Sequence, residues 1–90
     1  MAKSITRWNT SSGPLLVNAF ESAIQPYVAA GNTDGITTII YGPTETIPEN
    51  QYEVQRTWTT VELAQNWLDT VVTPTAAQVG ATELYQAVIA

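Results

Sequence analysis

The chain has 90 residues, a formal net charge of −5, and neither histidine nor cysteine. These absences exclude disulfides, metal sites built on Cys or His, and nucleophilic catalysis by a Ser–His or Cys–His pair. The acidic balance argues against nucleic-acid binding and against docking on anionic membranes, because both need a cationic surface.

Charged residues make up only 12% of the chain, about half of the usual share. A domain this short buries a modest fraction of its surface, and it often relies on oligomerisation where disulfides and metals are absent. We therefore expect a homodimer. A surface with few charges is also buried more readily against a partner, although drift in an acidic organism or a virus would explain the low charge equally well.

No run of about 18 apolar residues, the length of a membrane span, is present. The N-terminal segment Met1–Arg7 is not followed by the apolar core of a signal peptide. We expect a cytoplasmic protein in which residues 1–90 form one domain.

Alternating polarity over residues 3–9 predicts a first strand. Ile5 and Arg7 share one face of that strand, and Thr6 and Trp8 share the other.

A first helix is predicted from about Leu15, because Pro14 follows a run of serines and proline favours the first helical turn. Pro26 lies inside the pattern, so we expect the helix to kink or end near Gln25, with a short continuation to about Ala30. The apolar stripe of this helix contains Leu16, Phe20, Ala23, Ile24, Tyr27 and Val28.

Two further strands are predicted over residues 35–41 and 52–58, separated by a loop rich in Pro, Thr and Glu. One face of the later strand carries Tyr52, Val54, Arg56 and Trp58.

The next segment matches a capping box, in which Thr59 is the expected N-cap and Glu62 reaches back to it. We expect Pro74 to close the helix that follows. Residues 73–80 are predicted to be a linker with some helical tendency, and residues 82–89 a fourth strand.

The predicted order is strand–helix–strand followed by strand–helix–strand, which indicates a ferredoxin-like α+β fold. We expect an antiparallel four-stranded sheet of order 4-1-3-2 with both helices on one face. The second and fourth strands carry apolar residues on both faces. We therefore expect the sheet face that carries no helices to be covered by a second copy of the chain.

Residues 56–67, Arg-Thr-Trp-Thr-Thr-Val-Glu-Leu-Ala-Gln-Asn-Trp, form a capped strand-to-helix junction. This junction and the element order resemble the dimeric α+β barrel superfamily, which includes cofactor-free antibiotic-biosynthesis-type monooxygenases and stress-response barrel proteins. The resemblance implies a dimeric barrel. Many monooxygenase-type members carry a histidine on the following helix, where this chain has Asn66.

Those monooxygenases also use Asn and Trp in the barrel, so the resemblance implies a ligand-binding role for Trp8 and Asn9. The alternative is that Trp8 packs in the core and Asn9 begins a turn. Trp58 has the same two interpretations, as a pocket wall or as core.

Arg7 and Arg56 are the only arginines, and they fall on strands predicted to be neighbours. Together they would bind a carboxylate or phosphate, because the planar guanidinium matches such anions. Alternatively, each pairs with a nearby carboxylate such as Glu53 or Glu83.

Two function classes follow. The first is a non-catalytic homodimeric interaction or structural module, which the missing histidine and cysteine favour. The second is a small-molecule-binding protein or cofactor-free monooxygenase-like enzyme that holds an anionic or aromatic ligand between sheet and helices. Its candidate ligand-binding residues are Arg7, Trp8, Asn9, Arg56 and Trp58. No catalytic residue, metal site or cofactor is predicted, since the carboxylates lack metal-loop spacing.

Overall fold

The computed structural model describes residues 1–9 and 13–90. The start signal of the first helix lies partly in residues 10–12, outside the described residues. The elements, in chain order, are β1 (Ala2–Asn9), α1 (Gly13–Ala29), β2 (Thr37–Tyr41), β3 (Gln51–Trp58), α2 (Val61–Trp67), a π-helical segment (Leu68–Val72), α3 (Thr73–Val79) and β4 (Glu83–Ile89).

The four strands form one antiparallel sheet of order β2-β3-β1-β4. This is the predicted order, and the ferredoxin-like α+β fold is confirmed. In the register of the two central strands, Ser4 lies opposite Arg56 and Trp8 opposite Tyr52. Side chains alternate between sheet faces, so these four residues share one face.

That face packs against the helices and holds the core. Trp8 and Trp58 are completely buried, and α1 contributes Leu16, Phe20 and Ile24. The opposite face of the sheet, here called the open face, leaves Tyr85 and Ile89 about half exposed, at 48% and 50%. None of the helices in the described residues is both long and apolar enough to cross a membrane.

Aromatic rings connect the two layers of the core. Phe20 of α1 lies 5.8 Å from the ring of Trp8 and 6.0 Å from that of Trp67. Tyr27 makes edge-on contacts with Trp58 at 5.5 Å and with Trp67 at 5.6 Å. Helix α1 runs through Pro26 to Ala29, and this continuation brings Tyr27 into the core.

We predicted that Pro74 closes the second helix and that residues 73–80 are a linker, and both predictions are wrong. The helix continues through the π-helical segment into α3, with Pro74 in the first turn of α3. Proline lacks an amide hydrogen, and in a regular helix its ring meets the carbonyl four residues earlier. The wider π turn, in which the Thr73 amide donates to the Leu68 carbonyl, accommodates the proline without ending the helix.

The N-cap of α2 is Thr60, one residue later than predicted. The Thr60 hydroxyl accepts a hydrogen bond from the Leu63 amide at 3.2 Å. Thr59 is occupied elsewhere, because its amide and its hydroxyl both donate to the Asn32 carbonyl, at 3.3 Å and 3.0 Å. That contact ties the end of β3 to the turn after α1 and moves the helix start by one residue.

Removing the Thr60 hydroxyl in T60A should lower the free energy of unfolding by about 1 kcal/mol, because the Leu63 amide loses its side-chain acceptor. Urea denaturation followed by circular dichroism measures this change. The matched variant T60S keeps the hydroxyl and should stay close to the parent. Equal losses in T60A and T60S would contradict the assignment of Thr60 as the cap.

Tyr52 is fully buried at one end of β3, with its ring 5.7 Å from that of Tyr41. Burial, with a smaller contribution from Tyr41, raises the pKa of Tyr52 from 10.0 to about 12. Below pH 10 the hydroxyl is protonated in both the folded and the unfolded chain. Between pH 10 and 12 the unfolded chain loses this proton while the folded chain keeps it, so rising pH favours unfolding.

The Tyr52 hydroxyl should therefore cost roughly 2 to 3 kcal/mol of stability across that alkaline window. Y52F removes the ionisable group, so its free energy of unfolding should fall less between pH 10 and 12 than that of the parent. Denaturant titrations at stepped pH measure the difference. An unchanged profile in Y52F would refute the assignment.

Candidate ligand pocket

A narrow depression lies between the helix-covered face of the sheet and the helices. β1, β2 and β3 form one wall, and α1 with the end of α2 and the π-helical segment forms the other. The cavity volume of this depression is only about 20 Å³. Most of the lining is apolar, including Phe20, Ile24 and Trp67. The polar lining residues are Ser4, Thr6, Glu21, Thr37 and Arg56.

Arg56 is the central polar group of this pocket. It is only 5% exposed, and β-sheet register places it between Ser4 of β1 and Thr37 of β2. Its Nη1 donates a hydrogen bond to the Thr37 hydroxyl. Its Nε is buried without a hydrogen-bond partner among the described residues, and no carboxylate among them forms an ion pair with it. A buried, charge-bearing donor therefore remains incompletely satisfied.

The charge of Arg56 is maintained against its surroundings. Burial lowers the pKa of the guanidinium, because removal from water disfavours the charged form, while Glu21 and Asp34 raise it by electrostatic attraction. Arginine stays protonated in proteins. The pocket therefore contains a full positive charge that burial destabilises and that Glu21 and Asp34 only partly compensate.

Two hydroxyl groups on β1 extend the polar wall beside Arg56. The indole nitrogen of Trp58 donates to the Ser4 hydroxyl at 2.9 Å, and that of Trp8 donates to the Thr6 hydroxyl at 2.8 Å. In both pairs the hydroxyl oxygen acts as acceptor, so its own hydrogen is available for a second partner. Both hydroxyls can thus act as donors toward an acceptor in the pocket.

The five candidate residues from the sequence separate onto the two faces of the sheet. Arg56 lines the pocket, and Trp8 and Trp58 lie behind it in the core, where they orient Thr6 and Ser4. Arg7 and Asn9 fall on the open face, by alternation from Trp8. A single anion site containing both arginines is therefore wrong, because their side chains leave the sheet on opposite sides.

Arg7 follows the alternative interpretation and pairs with Glu53 across the open face. Its Nη2 donates to the Glu53 carboxylate at 2.9 Å, and its guanidinium lies 5.3 Å from the centre of the Tyr85 ring. Gln55 also donates to Glu53, at 2.6 Å. In contrast to Arg56, Arg7 thus has a carboxylate in direct contact.

Sequence reasoning missed the other polar members of the pocket. Ser4 and Thr6 alternate with the open-face residues of β1 and share the face of Trp8, so polar residues at core positions were the available signal. Glu21 follows Phe20, a member of the apolar stripe of α1. Its place in the pocket depends on how α1 packs on the sheet, which sequence periodicity does not specify.

Comparisons with known proteins identify the fold but not a family. No family model and no curated protein sequence matches the chain. A crystal structure of an antibiotic biosynthesis monooxygenase-like protein from Deinococcus radiodurans superposes with a TM-score of 0.52 at 14% identity. The match covers 100% of this chain and 91% of that one. The two proteins share the ferredoxin-like α+β fold that the element order predicted.

Proposed function

We propose that the protein binds a small organic anion with an apolar body in the pocket between sheet and helices. The observation that carries this proposal is Arg56, a buried guanidinium with an unpaired Nε and no carboxylate in contact among the described residues. Planar carboxylates match the donor fork of arginine and form strong charge-assisted hydrogen bonds with it.

Energetics favour a binding role over a purely structural one. Removing a guanidinium from water costs several kcal/mol unless its donors find partners. Thr37 satisfies one donor, while Nε makes no hydrogen bond to any described residue, the nearby hydroxyls of Ser4 and Thr6 included. Each of these two hydroxyls already accepts from an indole and still has its own hydrogen to donate. An incoming anion would supply the missing acceptor for all three groups.

The shape of the depression defines how such a ligand would lie. The cavity of about 20 Å³ holds about one water molecule, which suits a single carboxylate group at Arg56. The apolar body of the ligand would lie against the partly buried lining residues Val17, Ile39 and Val54, with small side-chain movements. The name of the Deinococcus protein makes monooxygenation the catalytic form of this proposal, but Arg56 and the hydroxyls by themselves support binding alone.

In R56M, anion binding should be lost while the fold persists. Methionine fills similar space without a buried charge, so the variant should unfold at the same temperature as the parent or higher. Benzoate titrations at constant ionic strength, followed by tryptophan fluorescence, measure binding because Trp67 lines the pocket. We expect at least a tenfold weaker affinity in R56M.

The matched control is K3M, which removes the same charge on the open face of the sheet. Lys3 donates to Gln55 there, at 3.4 Å. Benzoate affinity in K3M should equal that of the parent. Retained binding in R56M, or no binding by the parent at all, would overturn the proposal. A large loss of stability in R56M without a change in binding would assign Arg56 a structural role.

A second proposal concerns the open face, which we infer to be the contact surface of a homodimer. Tyr85 and Ile89 are about half exposed there, and Ile5 and Ala87 lie beside them in the register of β1 and β4. The charged Arg7 is already paired with Glu53, so burial of this face would not leave its guanidinium without a counter-charge. This assembly is the interaction module expected from composition.

Placing a charge in the middle of the open face should dissociate the dimer. Ile5 on the central strand pairs with Gln55 on one side and Ala87 on the other, and I5E would bury a carboxylate in the interface. Sedimentation velocity should show twice the chain mass for the parent and the monomer mass for I5E. V28E, on the exposed surface of α1, should remain dimeric. A monomeric parent would rule out this interface.

A further inference from the structure

A second charged group reaches the same pocket from the helix side. Glu21 of α1 lines the depression opposite the strand that carries Arg56, and its side chain is partly buried. Its carboxylate has no hydrogen bond or ion pair among the described residues; only its backbone carbonyl accepts a bond, from Gln25 at 3.3 Å. Glu21 nevertheless attracts Arg56 electrostatically.

The two opposite charges thus face one small volume without touching. Arg56 is held on the sheet side of the pocket by its hydrogen bond to Thr37, the residue opposite it on β2. Glu21 lies on α1, in the helical layer. A carboxylate only accepts hydrogen bonds, whereas a guanidinium only donates them. A molecule that satisfies both must present an acceptor to Arg56 and a donor to Glu21.

We infer that Glu21 makes the pocket selective for carboxylates that also carry a hydroxyl or amino group. This inference rests on the proposed function, because it assumes that an anion binds at Arg56. The hydroxyl or amino group would donate to the Glu21 carboxylate while the ligand's own carboxylate meets Arg56. Glu21 is thereby a specificity-determining residue, and hydroxy- or amino-substituted carboxylates are the ligand class.

Selectivity arises from what a simpler anion would leave unsatisfied. An unsubstituted carboxylate places a second negative charge near Glu21 and gives that residue no donor. A donor-bearing ligand removes the unpaired acceptor, and sites built to hydrogen-bond a ligand hydroxyl discriminate against analogues that lack it. For a partly exposed carboxylate we expect a preference of about tenfold.

The test compares benzoate with 3-hydroxybenzoate and 4-hydroxybenzoate, by calorimetric titration of the parent and of E21M. The parent should bind at least one hydroxybenzoate about tenfold more tightly than benzoate. In E21M this preference should disappear, and benzoate itself should bind more tightly because a repelling charge is gone. E21Q, which keeps an acceptor without the charge, should lie between them.

Two controls separate the possible failures. E62M removes the same charge from an exposed position on α2 and should leave every affinity unchanged, and thermal melts verify that E21M and E21Q are folded. If benzoate binds and R56M abolishes that binding, but the hydroxyl preference is absent or survives in E21M, the role of Glu21 is overturned while the proposed function stands. If neither benzoate nor the hydroxybenzoates bind the parent, both are overturned.

Discussion

Burial of the Arg56 guanidinium within the central sheet is the constraint on which the rest of the site depends. Hydroxyl groups flank it on both neighbouring strands, Ser4 on β1 and Thr37 on β2. Because Trp58 donates to Ser4, the tryptophan that fills the core also determines how this hydroxyl can bond. The packing of the core and the polar wall of the pocket therefore depend on each other, because the ring of Trp58 fills the core while its N–H group holds the Ser4 hydroxyl.

The two arginines show how the two-residue period of a strand places similar charges on opposite faces of one sheet. Arg7 and Arg56 lie on adjacent strands, but one faces outward with Glu53 in contact and the other faces the helices without such a partner. The paired arginine suits a surface that a second copy covers, since its charge is already compensated. The unpaired arginine suits a site that a smaller anion fills. In our two proposals, one sheet thus offers a contact surface and a pocket on opposite sides.

Periodicity predicted the elements and the strand order because those depend on local patterns and on the few ways of joining βαβ units. Local patterns failed where a tertiary contact decided the outcome. Thr59 and Thr60 are equally good caps by residue type, and the bond from Thr59 to Asn32 leaves the cap to Thr60. Likewise, nothing near Pro74 in sequence indicates a π turn. Glu21 was missed for the same reason, since α1 must first pack on the sheet before its carboxylate faces the pocket that Arg56 lines.

Similarity to a monooxygenase-like structure at 14% identity shows the fold alone, and one fold can support unrelated chemistry. The function must therefore be argued from the charges that this chain places between sheet and helices. A folded chain of 90 residues has little stability to spare, and an apolar residue of similar volume at position 56 would remove the desolvation cost of the guanidinium. Stability alone gives no reason for a charge at this position. The proposed recognition of a small anion would give one, because the ligand would supply the acceptors that the buried guanidinium lacks.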